Sequence, residues 1–273
     1  LLLFSFIYIG IFYSKNNDIM HKDISLTGGT SITLYEAVNI NELNAALSKN
    51  LAEVSIKEIS DLITHEQKAV IIETKSSAEE ARRAIEEYLD HNLTEENSSF
   101  EFTGSSLSES FYKQLLIAII VAFIFMALVI FIIFRTFVPS SAVVLSAFAD
   151  IFMTLIAVDI LGMKMSAAGI VAFLMLIGYS VDSDILLTTR VLKRKEGTVM
   201  DRIYSSIKTG MTETMTGMVA IVVAMMVTQS EVIRQIMIIL FWGLIADIFN
   251  TWIQNVGLLR LYVEKKAKKG VII

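Results

Sequence analysis

Beyond residue 110 the chain is a succession of apolar stretches, each about the length that crosses a bilayer. They run over about Phe111–Phe134, Val138–Ile160, Met165–Leu192, Met211–Thr228 and Val232–Val263. A membrane helix needs roughly 20 apolar residues, so each is read as a span. The turns "RTFVP" and "LGMK" are so short that the neighbouring spans must be antiparallel and packed together. The chain is 54% hydrophobic over 273 residues, above the ~45–50% usual for soluble domains, and the excess lies in these blocks. With no cysteine, a disulfide framework, a cysteine metal site and a thiol nucleophile are excluded. The three histidines, His21, His65 and His91, are too scattered for the usual zinc spacings. Neither a metal nor a cofactor is expected.

The opening "LLLFSFIYIGIFY" is too short to cross alone. Residues 1–14 are read as part of a first span, since neither a basic start nor a small-residue cleavage site marks a signal peptide. Orientation follows from lysine and arginine in short loops. Arg190, Lys193, Arg194, Lys195, Arg202 and Lys208 crowd the loop before the fifth span, and residues 265–273 form a basic tail. The opposite side has Lys164 and Arg234 in its short loops. The basic side, with the C-terminus, is expected to be cytoplasmic, and residues 22–108 external. Residues 15–113 hold nine basic and eighteen acidic side chains, a balance that disfavours nucleic acid as a partner.

Residues 22–108 alternate between strand and helix patterns, apart from the five-helix membrane core at 111–264. Ile24–Tyr35, Val54–Ile63, Lys68–Thr74 and Ser98–Ser105 read as strands, and Asn41–Asn50 and Ser77–Leu89 as helices, the second with a Ser77–Glu80 capping box. The order β-α-β-β-α-β predicts an α+β ferredoxin-like domain. Glu79, Glu80, Glu86 and Glu87 read as a solvated helix face. Gly28-Gly29 could cradle an anion, but a phosphate loop needs a longer glycine pattern and a lysine. A bulge or a close backbone approach is the expected role.

Four carboxylates sit inside apolar stretches: Asp150, Asp182, Asp184 and Asp247. Each costs about 2.5–3.5 kcal/mol at the centre of a membrane helix. Asp150 and Asp182 lie roughly 18 Å and 15 Å from the cytoplasmic ends of their spans at 1.5 Å per residue. At matched depth on antiparallel neighbours, they can face each other. Asp182 and Asp184 are about 200° apart on a helix, so one faces the bundle interior and the other does not. Small residues near them, Ala167, Ala168, Gly169, Gly178 and Ser180, allow close helix packing. The aspartates either hydrogen-bond to hydroxyls and fix packing, or form a proton relay. Glu213, among Thr212, Thr214 and Thr216, and Arg234, at the outer end of the sixth span, are secondary polar candidates with Asp247.

Three segments together resemble the SecD/SecF family. "LTGGTSITL", with Thr27, Gly28, Gly29 and Thr30, resembles the family's F-T-G-G-T signature. "IGYSVDSDILLTTR", with Gly178, Tyr179, Ser180 and Arg190, resembles I-G-Y-S-x-N-D-T and the basic run that follows it. "SEVIRQIMIILFWGLIADIFNTW" resembles G-E-V-L-R-D-F and the last span. Asp150 matches the family's third-span aspartate, with Ala149 in place of a histidine. Asp182, Ser183 and Asp184 stand at the family's asparagine, aspartate and threonine positions, and Thr189 replaces the aspartate before Arg190. The "VDSD" form resembles the archaeal SecF branch. The resemblance implies six spans with a membrane core like that of resistance-nodulation-division transporters, and no enzyme activity. It implies a Sec export auxiliary acting with SecD, a SecY-type channel complex and a translocating polypeptide in the lipid bilayer of the cell membrane, coupled to the proton gradient. It also implies Asp150, Asp182 and Asp184 as proton carriers. Two alternatives stay open: a small-molecule or lipid exporter subunit of the transporter superfamily, and a passive assembly factor for the channel. A membrane serine protease is disfavoured, since "GYSVD" is not a nucleophile elbow and no span carries a histidine base.

Overall fold

The computed structural model describes residues 2–60, 66–194, 196–228 and 230–268. The end of the expected strand at Val54–Ile63, His65, Lys195 and the tail from Lys269 lie outside the described residues. The chain divides into two compact units. One comprises Lys22–Leu115 with Met165–Ala167; the other comprises Leu1–His21, Leu116–Lys164 and Ala168–Ile273.

The first unit runs α2 (Ile24–Thr27), β1 (Gly29–Leu34), α3 (Ile40–Asn50), β2 (Ser55–Ser60), β3 (Gln67–Thr74), α4 (Ala78–Leu89) and β4 (Ser98–Thr103). The strands form one antiparallel sheet in the order β2-β3-β1-β4. Alternation sets its faces: Ile32 and Leu34 of β1 are fully buried, as are Val70 and Ile72 of β3, and Ile32 lies opposite both Ile72 and Phe100. Leu43 and Leu47 of α3 and Ala81 and Ile85 of α4 complete this core. Asn39 caps α3, and Ser77 caps α4 through the reciprocal Glu80 box.

The expected strand over Ile24–Tyr35 begins only at Gly29. Asp23 accepts the N–H of Ser25 through its side chain and caps a single helical turn, Ile24–Thr27. Gly28 ends that turn at φ 82°, and Gly29 enters the strand at φ 148°. A Cβ on Gly29 would lie 2.5 Å from the Thr74 carbonyl oxygen. The glycine pair is thus a left-handed helix stop followed by a close backbone approach. Thr27 donates to the Asp23 carbonyl at 3.1 Å, and buried Thr30 to the Ser76 carbonyl at 2.8 Å, which ties the motif to both flanks.

The second unit contains α1 (Leu2–Asn16), most of α5 (Ser105–Phe134), α6 (Phe137–Ile160), α7 (Ala167–Lys193), α8 (Val199–Val227), α9 (Glu231–Phe249), a π-helical segment (Asn250–Asn255) and α10 (Val256–Ala267). Among the described residues, five helices are long and apolar enough to cross a membrane: Leu107–Phe134, Phe137–Ile160, Ala167–Lys193, Val199–Val227 and Val232–Ala267. Helix α9 packs against α6 and α8, and the π segment against α6.

Two expectations change here. The loop expected before Met211 is helical from Val199, because Thr198 and Asp201 form a capping box that starts α8 three turns early. Buried Arg202 turns back from that first turn to donate to the carbonyls of Val191 and Arg194 at the end of α7. The last span, expected as one helix, contains a π turn. Of the small residues expected to allow close packing, Gly169 and Ser180 are buried, and Gly178 is not where helices approach. Gly178 has open space where a Cβ would stand, whereas a Cβ on Gly210 would meet the Trp252 ring at 2.1 Å and one on Gly243 would meet Leu176 at 2.3 Å.

Candidate functional site

Polar side chains accumulate where α6, α7 and the α9–π segment meet. Asp150, Asp184 and Asp247 are each fully buried, one from each of α6, α7 and α9. Buried with them are Ser146, Thr154, Ser180, Asn250, Thr251 and Asn255. Helix α7 contributes through one face: Ser180, Asp184, Leu187 and Val191 are buried, three or four residues apart.

The carboxyls are joined by hydrogen bonds through the π segment. Ser180 Oγ donates to Asp150 Oδ2 at 2.5 Å, and Asn250 Nδ2 to Asp150 Oδ1 at 2.7 Å. Asn255 Nδ2 donates to Asp184 Oδ1 at 2.6 Å. Thr251 Oγ1 stands 3.0 Å from Asp184 Oδ1 and 2.9 Å from Asp247 Oδ1. The second oxygens, Asp184 Oδ2 and Asp247 Oδ2, are buried and make no hydrogen bond of ordinary geometry, although Ser146 stands near Asp184 and Ser180 and Ser183 near Asp247. Among the described residues, no lysine or arginine forms an ion pair with any of the three. Three carboxyls are therefore buried with neutral donors alone, the setting in which protons rather than side-chain cations balance charge.

The expected facing of Asp150 and Asp182 is not what the helix rotation produces. Asp182 is exposed in the chain, as are Gly178 and Tyr179, while Asp184 is buried. The inward face of α7 is set by Ser180, four residues before Asp184, and Asp182 lies about 200° away from the latter. Asp247, a secondary candidate, belongs to the cluster. Glu213 is exposed on α8 beside a groove of about 520 Å³ shared with Lys208, Thr209, Thr212, Thr216 and Gly217. Arg234 reaches the Thr228 carbonyl at 3.5 Å, at the end of α8. Arg190 donates to the Ser205 carbonyl at 2.6 Å and to Thr209 at 2.8 Å, which fastens the end of α7 to α8. None of these three joins the aspartates.

Asn250, Thr251 and Asn255 were not singled out from the sequence. Their signal is present in "DIFNTWIQN", where Asp247, Thr251 and Asn255 recur every fourth residue inside an apolar span, a polar stripe on one helix face.

The architecture and site together define a class: a multi-helix membrane protein with a small α+β unit in sequence between its helices and carboxyls in its helical core. The family model described as protein export membrane protein SecD/SecF, C-terminal, matches residues 84–265. The protein-export membrane protein SecF of Methanocaldococcus jannaschii is 39% identical over 91% of this chain and 89% of its own. That of Pyrococcus furiosus is 38% identical over 94% and 86%. This chain belongs to the SecD/SecF family of protein-export membrane proteins. Among solved structures, SecDF from Thermus thermophilus, a translocon-associated membrane protein, superposes with a TM-score of 0.74 at 19% identity. That match covers 97% of this chain but 37% of that one, so this chain spans little more than a third of its length. A heavy metal efflux pump gives a TM-score of 0.52 at 11% identity, over 90% of this chain and 31% of that one.

Proposed function

We propose that this chain is an auxiliary subunit of the Sec protein-export machinery, that it works with SecD beside a SecY-type channel, and that protons crossing its helical core drive it. The export role is supported by relatives named as SecF export proteins that align along most of their own length. In this reading α1 joins the five long helices as a sixth membrane helix. The α+β unit, read as ferredoxin-like from its element order and sheet order, lies on the external side, where it would hold emerging polypeptide. The lysine- and arginine-rich segments and the C-terminus lie in the cytoplasm.

The observation that carries the proton reading is the hydrogen-bonded trio Asp150, Asp184 and Asp247, buried without a cation. A carboxyl that can neither pair with a cation nor reach water takes up a proton more readily than it keeps an uncompensated charge. The energy is adequate. One charge crossing 100 mV releases about 2.3 kcal/mol, enough to shift a two-state equilibrium roughly fifty-fold. Asp150 and Asp184 are then the carriers, and Asp182 is not.

The test compares export into inverted membrane vesicles with and without a proton gradient. Asp150→Asn and Asp184→Asn are each expected to abolish the gradient-dependent part while leaving protein level and gradient-independent export unchanged. Asp182→Asn is expected to keep it. Normal gradient responses from both Asp150→Asn and Asp184→Asn would leave a passive role.

A further inference from the structure

Thr251 occupies a position that hydrogen-bond chemistry restricts. Its Oγ1 is 3.0 Å from Asp184 Oδ1 and 2.9 Å from Asp247 Oδ1, within or at the limit of ordinary O–H···O distances. A threonine hydroxyl has one proton to donate, and an ionised carboxylate only accepts. With both carboxyls ionised, one of these two contacts would contain no proton, and two oxygens would oppose each other by their lone pairs. Both contacts are satisfied when the pair holds one proton: one carboxyl donates to Thr251, and Thr251 donates to the other. Asp184 Oδ1 already accepts from Asn255 Nδ2 at 2.6 Å, which makes it the accepting end. Asp247 is then the protonated end.

We propose that the Thr251 hydroxyl passes protons between Asp247 and Asp184. The O–H bond of Asp247 breaks as a new O–H bond forms on Thr251 Oγ1. At the same time the original Thr251 O–H bond breaks and one forms on Asp184. Thr251 is neutral before and after, Asp247 becomes the carboxylate and Asp184 the acid. Rotation of the hydroxyl resets the bridge. Each aspartate takes or releases the proton on its other side at Oδ2, which makes no hydrogen bond of ordinary geometry, and a half-turn of the carboxyl exchanges that oxygen with the one facing Thr251.

The π turn is what sets out the donors around this bridge. In an α-helix, residues five apart differ by about 140°. The i→i+5 hydrogen bonding of a π-helix stacks residues five apart. Within this turn Asn250 reaches Asp150 of α6 and Asn255 reaches Asp184 of α7, with Thr251 between them in sequence. From α8, Gly210 lets the Trp252 ring of the π segment pack directly against its backbone.

This relay rests on the proton reading, and the experiment separates the two. The full-length protein in its native membrane is assayed in inverted vesicles, as gradient-dependent export before and after a protonophore collapses the gradient. Thr251→Val keeps the shape and removes the transferable proton; Thr251→Ser keeps the hydroxyl. Thr251→Val is expected to lower the gradient-dependent part at least tenfold, with protein level and gradient-independent export unchanged. Thr251→Ser is expected to retain at least half of it. The relay is overturned if Thr251→Val responds normally while Asp184→Asn and Asp247→Asn do not. It is equally overturned if Thr251→Ser loses as much as Thr251→Val, because side-chain shape would then be the requirement. Normal responses from all four variants would remove the proton reading, and the relay with it.

Discussion

The two units of this protein sort polar and apolar residues in opposite ways. In the α+β unit, charge on α4 faces outward, with Glu79, Arg82, Arg83 and Glu87 exposed; buried Glu73 of β3 is paired with Lys57 at 2.7 Å, and the core of Ile32, Leu34, Leu43, Ile72 and Ile85 is apolar. In the helical unit, the outside is apolar, with Ile120, Ile124, Phe125 and Leu128 of α5 exposed, while Asp150, Asp184, Asp247, Asn250 and Asn255 are buried. The same physical rule produces both. Each surface matches its solvent, water for one and hydrocarbon for the other. In the membrane unit, polar groups can be sheltered from lipid only inside the bundle.

That contrast is broken most severely by placing a carboxylate in the wrong core. Ile32→Asp, at a fully buried position between β3 and β4, is expected to destabilise the α+β unit by about 4 kcal/mol or more, from lost packing plus an unpaired buried charge. Hydrogen exchange in β1 and β3 of the purified protein measures this. Native-like protection would show that the core tolerates what the bundle is built to hold. A smaller effect separates the glycines of the two units. Gly29→Ala combines a left-handed φ with a 2.5 Å clash on the Thr74 carbonyl, and should cost at least about 1–3 kcal/mol. Gly178→Ala enters open space on α7 and should be neutral, or stabilising by up to about 1 kcal/mol. Equal thermal shifts for the two would contradict the assignment. A more local effect is Ser77→Ala, which removes the bond from the Glu80 N–H to the Ser77 hydroxyl and leaves the one from the Ser77 N–H to the Glu80 carboxylate; it should cost about 1 kcal/mol, read as faster exchange in the first turn of α4 only. Accelerated exchange throughout the unit would mean that the cap supports more than its own helix.

Much of this protein was legible in its residues because the signals are local. A run of some 20 apolar residues forms a membrane helix whatever its neighbours are; α6 and α7 begin and end close to where hydropathy placed them, and α5 ends at Phe134 as expected although it begins earlier, at Ser105. Period-two alternation in "KAVIIET" and the Ser77–Glu80 spacing act within a few residues, and β3 and α4 follow them. The presence of carboxyls in the spans was likewise plain. Which of them face one another was not, because a difference of two residues is about 200° of rotation, and only packing fixes the rotation of a helix. Ser180 against Asp150, Leu176 against Gly243 and Trp252 against Gly210 set those rotations, and with them turn Asp184 inward and Asp182 outward. The π turn at Asn250–Asn255 was hidden for the same reason. Residue order does not distinguish i→i+4 from i→i+5 hydrogen bonding; that choice follows from the partners, here Asp150 and Asp184, which long-range contacts bring to the helix. Residue type thus determined that this chain would bury carboxyls in a membrane core, and tertiary packing decided which carboxyls meet and that Thr251 lies between two of them.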